Sequence, residues 1–180
     1  NNNIADADIP EIGCEVKILP LQKNKNGEIK AKEPTAIQMI NYFEVANETW
    51  ENAKIRKKIK LTFWVVYLAK ENGKSLYQDD YVIIDYFLDQ PNDLQNLVFK
   101  KDWEEIKSYI IQGKADKLSC SMGEYLEPKT KGANNKDVTD APDGKGGSIK
   151  ARRRAFYYKK NYTNTQIIPN LDLSSIKKSE

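Results

Sequence analysis

Residues 59–68 read IKLTFWVVYL, an unbroken run of mainly aromatic, aliphatic and β-branched side chains, and this run restricts the fold most. It is the strongest strand signal in the chain. Other strand-like stretches surround it: GCEVKIL at 13–19, AIQMINYF at 36–43, DYVIIDYFL at 80–88 and RAFYY at 154–158. Asn26-Gly27 marks a hairpin-type turn within the polar stretch 22–35, and Glu71-Asn72-Gly73-Lys74 a second turn. From Asp93 the spacing becomes helical. Leu94, Leu97 and Val98, then Trp103, Ile106 and Ile110, recur at helical spacing, and Gly113 is a natural stop. Residues 130–148 are rich in Gly, Asn, Asp and Lys and read as a flexible loop. After RAFYY come a polar link and a weak C-terminal helix. The mixture predicts one α/β domain around a central mixed sheet flanked by helices.

The chain has 180 residues, the size of one domain. No apolar run approaches the length of a bilayer span and no targeting segment is visible, so no membrane role is expected. Cys14 and Cys120 lack Cys or His neighbours at zinc-ligand spacing, and a reduced cytoplasmic protein is the simple expectation. The sequence contains no histidine, which removes Ser–His and Cys–His catalysis and imidazole bases. Chemistry must then come from carboxylates, Lys, Arg, Tyr or a carboxylate-bound hard cation such as magnesium. The net charge is only +3, but it is unevenly spread. Residues 54–60 carry five basic and no acidic side chains, and residues 129–160 carry ten basic against three acidic. Two basic segments suit a polyanion, and a solvated, salt-bridged surface explains them equally well.

One cluster has a chemical reading. Asp8 precedes Glu15, Val16 and Lys17 on the predicted strand at 13–19. Alternation puts Glu15 and Lys17 on one face, roughly 7 Å apart, and sends Cys14, Val16 and Ile18 to the core face. Pro10 and Gly13 allow the chain to bend so that Asp8 returns toward Glu15. Two carboxylates on one cation, with an ammonium beside them, suit phosphodiester hydrolysis. Glu-x-Lys is a loose pattern, occurring at Glu15, Glu28, Glu105 and Glu127, with Asp143-Gly144-Lys145 a near match. Glu28 lies in a charged turn, Glu105 and Lys107 lie on a predicted helix, and Glu127 precedes Pro128 in a basic loop. Only Glu15 and Lys17 share an apolar strand with an upstream Asp. A solvated strand face is still the commoner origin of such a triplet.

Longer stretches carry more. DIPEIGCEVKILPL, the Glu48-Thr49-Trp50 triplet, KIRKKIKLTFWVV, KDWEEIKSYIIQGKADKLS, GEYLEPKTKGANNKDVT and RAFYYKKNYT occur in that order from Asp8 to about Thr165. In content and order they resemble the MutH family, which covers the mismatch-repair nicking enzymes and the related GATC-cutting restriction endonucleases. The resemblance implies a restriction-endonuclease-like PD-(D/E)XK fold and Mg2+-dependent hydrolysis of double-stranded DNA 5′ of G in GATC. It implies metal ligation by Asp8, Glu15 and Val16, the last able to offer only its main-chain carbonyl. Lys17 matches the catalytic lysine, and Lys58 a further lysine near the scissile phosphate. Lys129, Thr130, Lys131 and Asn134 fall in the base-reading loop, while Tyr157 and Lys159 match positions near the DNA. At Lys129-Thr130-Lys131 the family has Arg-Pro-Lys, so Lys129 lacks the bidentate fork of the arginine. The family also uses an acidic residue from a helix before Asp8. The expectation is therefore a catalytic domain whose N-terminal helices lie outside residues 1–180, with a second DNA-binding domain or a dimer completing the protein on DNA.

The restriction branch is the closer likeness. A mismatch-repair nicking enzyme and a non-catalytic DNA-binding domain are the rival readings. Among other residues, Trp103, Ile106 and Ile110 are expected in the core. Tyr157 and Tyr158 are expected to split between surface and core, and Cys14 to be a small buried hydrophobe. Lys54, Arg56, Lys57, Lys58 and Lys60 are expected to straddle a strand start, with Lys58 and Lys60 on one face. Arg152, Arg153 and Arg154 read as a phosphate grip or as a solubilising loop end.

Overall fold

A computed structural model describes residues 7–68, 82–134 and 136–174. Strand β1 (Glu15–Lys23) turns through Asn24–Glu28 into β2 (Ile29–Ala31), as Asn26-Gly27 predicts. Gly27 takes a positive φ of 79° in that turn. β3 (Thr35–Met39), helices α1 (Tyr42–Asn47) and α2 (Lys54–Ile59), and β4 (Thr62–Leu68) follow. Next come β5 (Val82–Asp89), the long helix α3 (Asp93–Ile111) and strands β6 (Leu126–Thr130), β7 (Val138–Pro142), β8 (Ser148–Arg152) and β9 (Arg154–Tyr158). Short helical turns over residues 160–170 end the described chain. The expected turn at Glu71–Lys74 lies outside the described residues.

The larger sheet has the order β2-β1-β4-β5, with β1 and β4 parallel and both outer pairs antiparallel. It is the mixed sheet that the sequence predicts. A second, antiparallel sheet has the order β3-β9-β6, and β7 pairs with β8 as a separate hairpin. The core lies between the two sheets and α3. Trp64 on β4 packs on Tyr158 of β9 with ring centroids 5.0 Å apart, and Phe99 of α3 meets Tyr158 and Tyr162 edge-on. Asn92 caps α3 through a full capping box with Gln95. Trp103, Ile106 and Ile110 are buried, as predicted, whereas Leu94 and Leu97 of the same helix remain exposed. At about 100° per residue they point to the side of α3 away from Trp103, Ile106 and Ile110.

Four other sequence expectations need correction. The predicted strand at 36–43 stops at Met39, because Asn41 Oδ1 accepts the Glu44 N–H (3.3 Å) and starts α1. The basic run 54–60 begins a helix instead of a strand: Ile55 and Ile59, four apart, are both buried and seat α2 on the core. The expected loop 130–148 contains β7 and the turn into β8, where Asp143 Oδ1 accepts the N–H groups of Lys145 and Gly147 (2.7 and 2.8 Å). On β1 the faces are reversed. The row Glu15, Lys17, Leu19, Leu21 turns inward, while Val16 and Ile18 are 36% and 60% exposed. Two leucines outweigh one valine and one isoleucine because the inner face is closed by α2 and the second sheet.

One buried carboxylate ties α3 to the second sheet. Asp102 Oδ2 accepts three successive main-chain N–H groups, from Glu124, Tyr125 and Leu126, at 2.7–2.9 Å. Gly123 just before them has φ 69°, and a Cβ there would stand 2.1 Å from the Leu126 carbonyl oxygen. Replacing Asp102 with Ala strands three main-chain donors, two of them buried, and is expected to cost about 3–4 kcal/mol. Urea unfolding measures the loss; a cost below about 1 kcal/mol would show that the β6 entry is held by other contacts.

Candidate functional site

The Asp8 segment folds back as its Pro and Gly predict. Ile9 and Cys14 exchange main-chain hydrogen bonds (2.9 and 3.1 Å) across a tight turn closed by Gly13 at φ 65°. Cys14 is buried at its base, as a small hydrophobe. The turn returns Asp8 to β1, where its Oδ2 accepts the Val16 N–H at 2.8 Å. Glu15 is held in turn by the parallel pairing of β1 with β4, its N–H bonding Leu61 O at 3.0 Å.

Glu15 is 2% exposed, and both of its oxygens are ion-paired. Lys17 Nζ lies 2.7 Å from Oε2 and Lys58 Nζ 2.5 Å from Oε1. Lys17 Nζ also stands 3.9 Å from Asp8 Oδ2, so one ammonium is shared by the two carboxylates. The structure thus brings Asp8, Glu15, Lys17 and Lys58 together from a turn, a strand and a helix. Lys58 reaches the site from α2, not from the strand start that its sequence suggests, and Lys60 caps the helix beyond it. Two carboxylates converging on one cation offer hard oxygen ligands, the chemistry that suits magnesium. Among the described residues no three acidic, Cys or His side chains converge as a metal cluster. A divalent cation held by Asp8, Glu15 and the Val16 carbonyl would therefore complete its shell with water and phosphate oxygens.

A second group of predicted residues gathers on β6 and β9. Lys129 and Lys131 hold their ammonium groups 5.5 and 5.9 Å from the Tyr157 ring centroid, in cation–π geometry. Tyr157 is partly exposed and Tyr158 fully buried, the expected split. Burial, with Glu33 and Glu127 nearby, raises the Tyr157 hydroxyl above its usual range. Lys129 and Tyr157 border a groove of about 280 Å³ that also contains Ile18 and Pro20 of β1, so this surface adjoins the strand carrying Glu15. Thr130, on the opposite strand face from Lys129, lines a separate pocket with Asn134, Asp137 and Arg153. Lys159 turns away, donating to Met122 O and Gly123 O (3.1 and 2.9 Å), so its ammonium serves the fold.

The arginine cluster is divided. Arg152 is exposed, Arg153 pairs with Asp137 (2.8 Å), and Arg154 is buried with Nη1 on Pro128 O (2.9 Å). Glu127 departs furthest from its sequence reading. It lies on β6 instead of in a basic loop, and it is 5% exposed on the strand face shared with Lys129. Its two-residue spacing from Lys129 signals a strand, but the intervening Pro128 obscures that signal.

Lys58 and Glu15 are both mostly shielded from solvent, so their coupling should exceed that of an exposed pair. A double-mutant cycle with Glu15→Gln and Lys58→Met is expected to give about 1–3 kcal/mol in chemical denaturation, against under about 1 kcal/mol for the exposed Lys54–Glu44 pair. Equal couplings would contradict the shielded geometry.

The family model "DNA mismatch repair enzyme MutH" matches residues 1–102, more than half of the chain. The chain is 37% identical over 160 residues to the type II restriction enzyme Sau3AI of Staphylococcus aureus, covering 86% of this chain and 31% of that enzyme. It is 29% identical over 159 residues to the DNA mismatch repair protein MutH of Pasteurella multocida, covering 88% and 68%, and 29% identical over 160 residues to that of Citrobacter koseri, covering 89% and 66%. The chain therefore spans about a third of the length of the Staphylococcus enzyme. With the family's blocks present in order and the carboxylate–lysine cluster assembled by the fold, the chain belongs to the MutH family of DNA endonucleases.

Proposed function

We propose that this chain is the catalytic domain of a type II restriction endonuclease of PD-(D/E)XK fold. It cuts double-stranded DNA 5′ of G in GATC and uses Mg2+. The observation that carries the proposal is the convergence of Asp8, Glu15, Lys17 and Lys58 on one point beside the Lys129–Tyr157 groove. Likeness to a restriction enzyme across 86% of the chain supports the restriction reading.

Asp8, Glu15 and the Val16 carbonyl would hold the cation, which when bound supplies charge neutralisation at the phosphate and a more acidic water. Lys17, already within hydrogen-bond distance of Glu15, orients or deprotonates the attacking water. Lys58 is placed to leave Glu15 for the scissile phosphate, where an ammonium stabilises the developing charge. Lys129, Thr130, Lys131, Asn134 and Tyr157 contact the DNA. Lysines at 129 and 131 address guanine O6 and N7 as single-point donors. A second DNA-binding domain or a dimer would supply the rest of the grip. No helix among the described residues is long and apolar enough to cross a membrane.

The mismatch-repair relatives favour a second reading, a nicking enzyme that cuts one strand. Plasmids with methylated and unmethylated GATC, incubated with Mg2+ and the intact protein, separate the two: linear products support restriction, and partner-dependent nicks support the alternative. Chelation with EDTA is expected to abolish cleavage. Lys17→Ala is expected to lower kcat by about 10²–10⁴-fold while GATC affinity stays within a few-fold. Persistent cleavage in that variant would refute the assignment of Lys17. A wild type that binds GATC yet never cuts would mark the domain as non-catalytic.

A further inference from the structure

The surface around Tyr157 is rich in donors and poor in acceptors. Lys129 and Lys131 can only donate, and they can address only the acceptor atoms of a base pair. Adenine N6 and cytosine N4 instead present amino groups in the major groove, and reading them requires an acceptor. Glu127 is the acceptor in the right place. In the antiparallel register Glu127 stands directly opposite Tyr157, and Ala36 of β3 flanks Tyr157 on the other side, so all three share one sheet face. Lys129, two residues along, shares that face as well. Thr130 falls on the other face. Asn134 Oδ1 already accepts the Lys136 N–H (2.8 Å), and Glu33 is exposed at the far rim of the groove.

Glu127 is also in an unusual state for a structural residue. It is 5% exposed, and its carboxyl, which keeps a little contact with solvent, accepts no hydrogen bond from any described residue. Desolvation raises its carboxyl above the ordinary range, with Lys159 and then Lys129 opposing that shift. Neither lysine closes an ion pair with it: Lys159 is bound to the Met122 and Gly123 carbonyls, and Lys129 lies over the Tyr157 ring. A carboxyl largely shielded from water and without a donor is costly, and closing a ligand over it discriminates against ligands that lack the donor.

We infer that Glu127 is a specificity-determining residue that accepts a hydrogen bond from the exocyclic amino group of a base, adenine N6 or cytosine N4, in the recognition sequence. The inference rests on the proposed GATC-specific reading of this surface. It complements the lysines: cations on this face take the guanine acceptors, and the Glu127 carboxylate takes an amino donor.

A chemical double-mutant cycle tests this on the intact protein, by fluorescence anisotropy in EDTA so that no duplex is cut. The probes are GATC duplexes with purine in place of adenine, or 2-pyrimidinone in place of cytosine, each lacking one amino group. Wild type is expected to bind one of the two analogues about 10- to 100-fold more weakly than GATC, and which one identifies the base. Glu127→Ala, which removes the acceptor, is expected to shrink that penalty to a few-fold, Glu127→Gln, which keeps an amide oxygen as acceptor, is expected to retain part of it, and Glu33→Gln leaves it intact. Wild type binding both analogues as well as GATC would overturn the inference, as would a penalty undiminished in Glu127→Ala with unchanged thermal melting. If wild type does not prefer GATC over a scrambled duplex, the proposed function falls and takes the inference with it. A preference for GATC with a flat Glu127 cycle sinks the inference alone.

Discussion

Burying the Glu15 carboxylate is the constraint on which the site depends. A carboxylate at 2% exposure is costly unless it is paired, and here two ammonium groups supply the pairing. Lys17 comes from the same strand at no topological cost. Lys58 comes from 43 residues away, so α2 must dock beside β1 for the charge to balance. Buried Ile55 and Ile59 hold that docking, and parallel pairing of β1 with β4 fixes the height of Glu15 along the sheet. Apolar packing and charge pairing thus require the same placement of one short helix.

The second sheet connects the groove surface to this centre. β9 presents Tyr157 outward to Lys129 and Lys131, and the adjacent Tyr158 inward, where its hydroxyl meets Thr62 Oγ1 at 2.9 Å. Thr62 is the β4 partner of Glu15 in the parallel register. One strand therefore has the groove on one face and the neighbour of the carboxylate on the other. Burial pushes the Tyr158 hydroxyl well above its usual range, which keeps it neutral at this position. Nearby, Asp89 accepts the Tyr162 hydroxyl (2.6 Å) and the Trp64 indole N–H (3.5 Å), and burial raises its carboxyl too. These polar groups sit inside the aromatic core and fix how the two sheets face each other.

Much of this was legible in the residues. The aromatic run at 62–68, the helix capped by Asn92 and the Asn-Gly turn carry their structure in local chemistry, and all three appear where that chemistry puts them. The return of Asp8 was legible for the same reason, since Pro10 and Gly13 shape a turn without distant help. The failures share a different cause. The face of β1, the helical state of 54–59 and the β7–β8 hairpin depend on what packs or pairs with them. Val16 and Ile18 are as apolar as Leu19 and Leu21, and only the position of α2 and the second sheet selects which row is covered.

The sequence by itself determined which groups were available for chemistry: carboxylates and lysines without histidine, arranged as Asp8, Glu15 and Lys17 within reach of one another along the chain. Short-range geometry suffices there, because strand alternation and a tight turn act over fewer than ten residues. Tertiary structure alone decided that Lys58 joins them, that Lys159 turns inward to carbonyls, and that Glu127 lies buried opposite Tyr157 with no hydrogen-bond donor among the described residues. Each of those outcomes depends on desolvation and on partners far away in sequence, and neither quantity exists until the sheets and helices have packed.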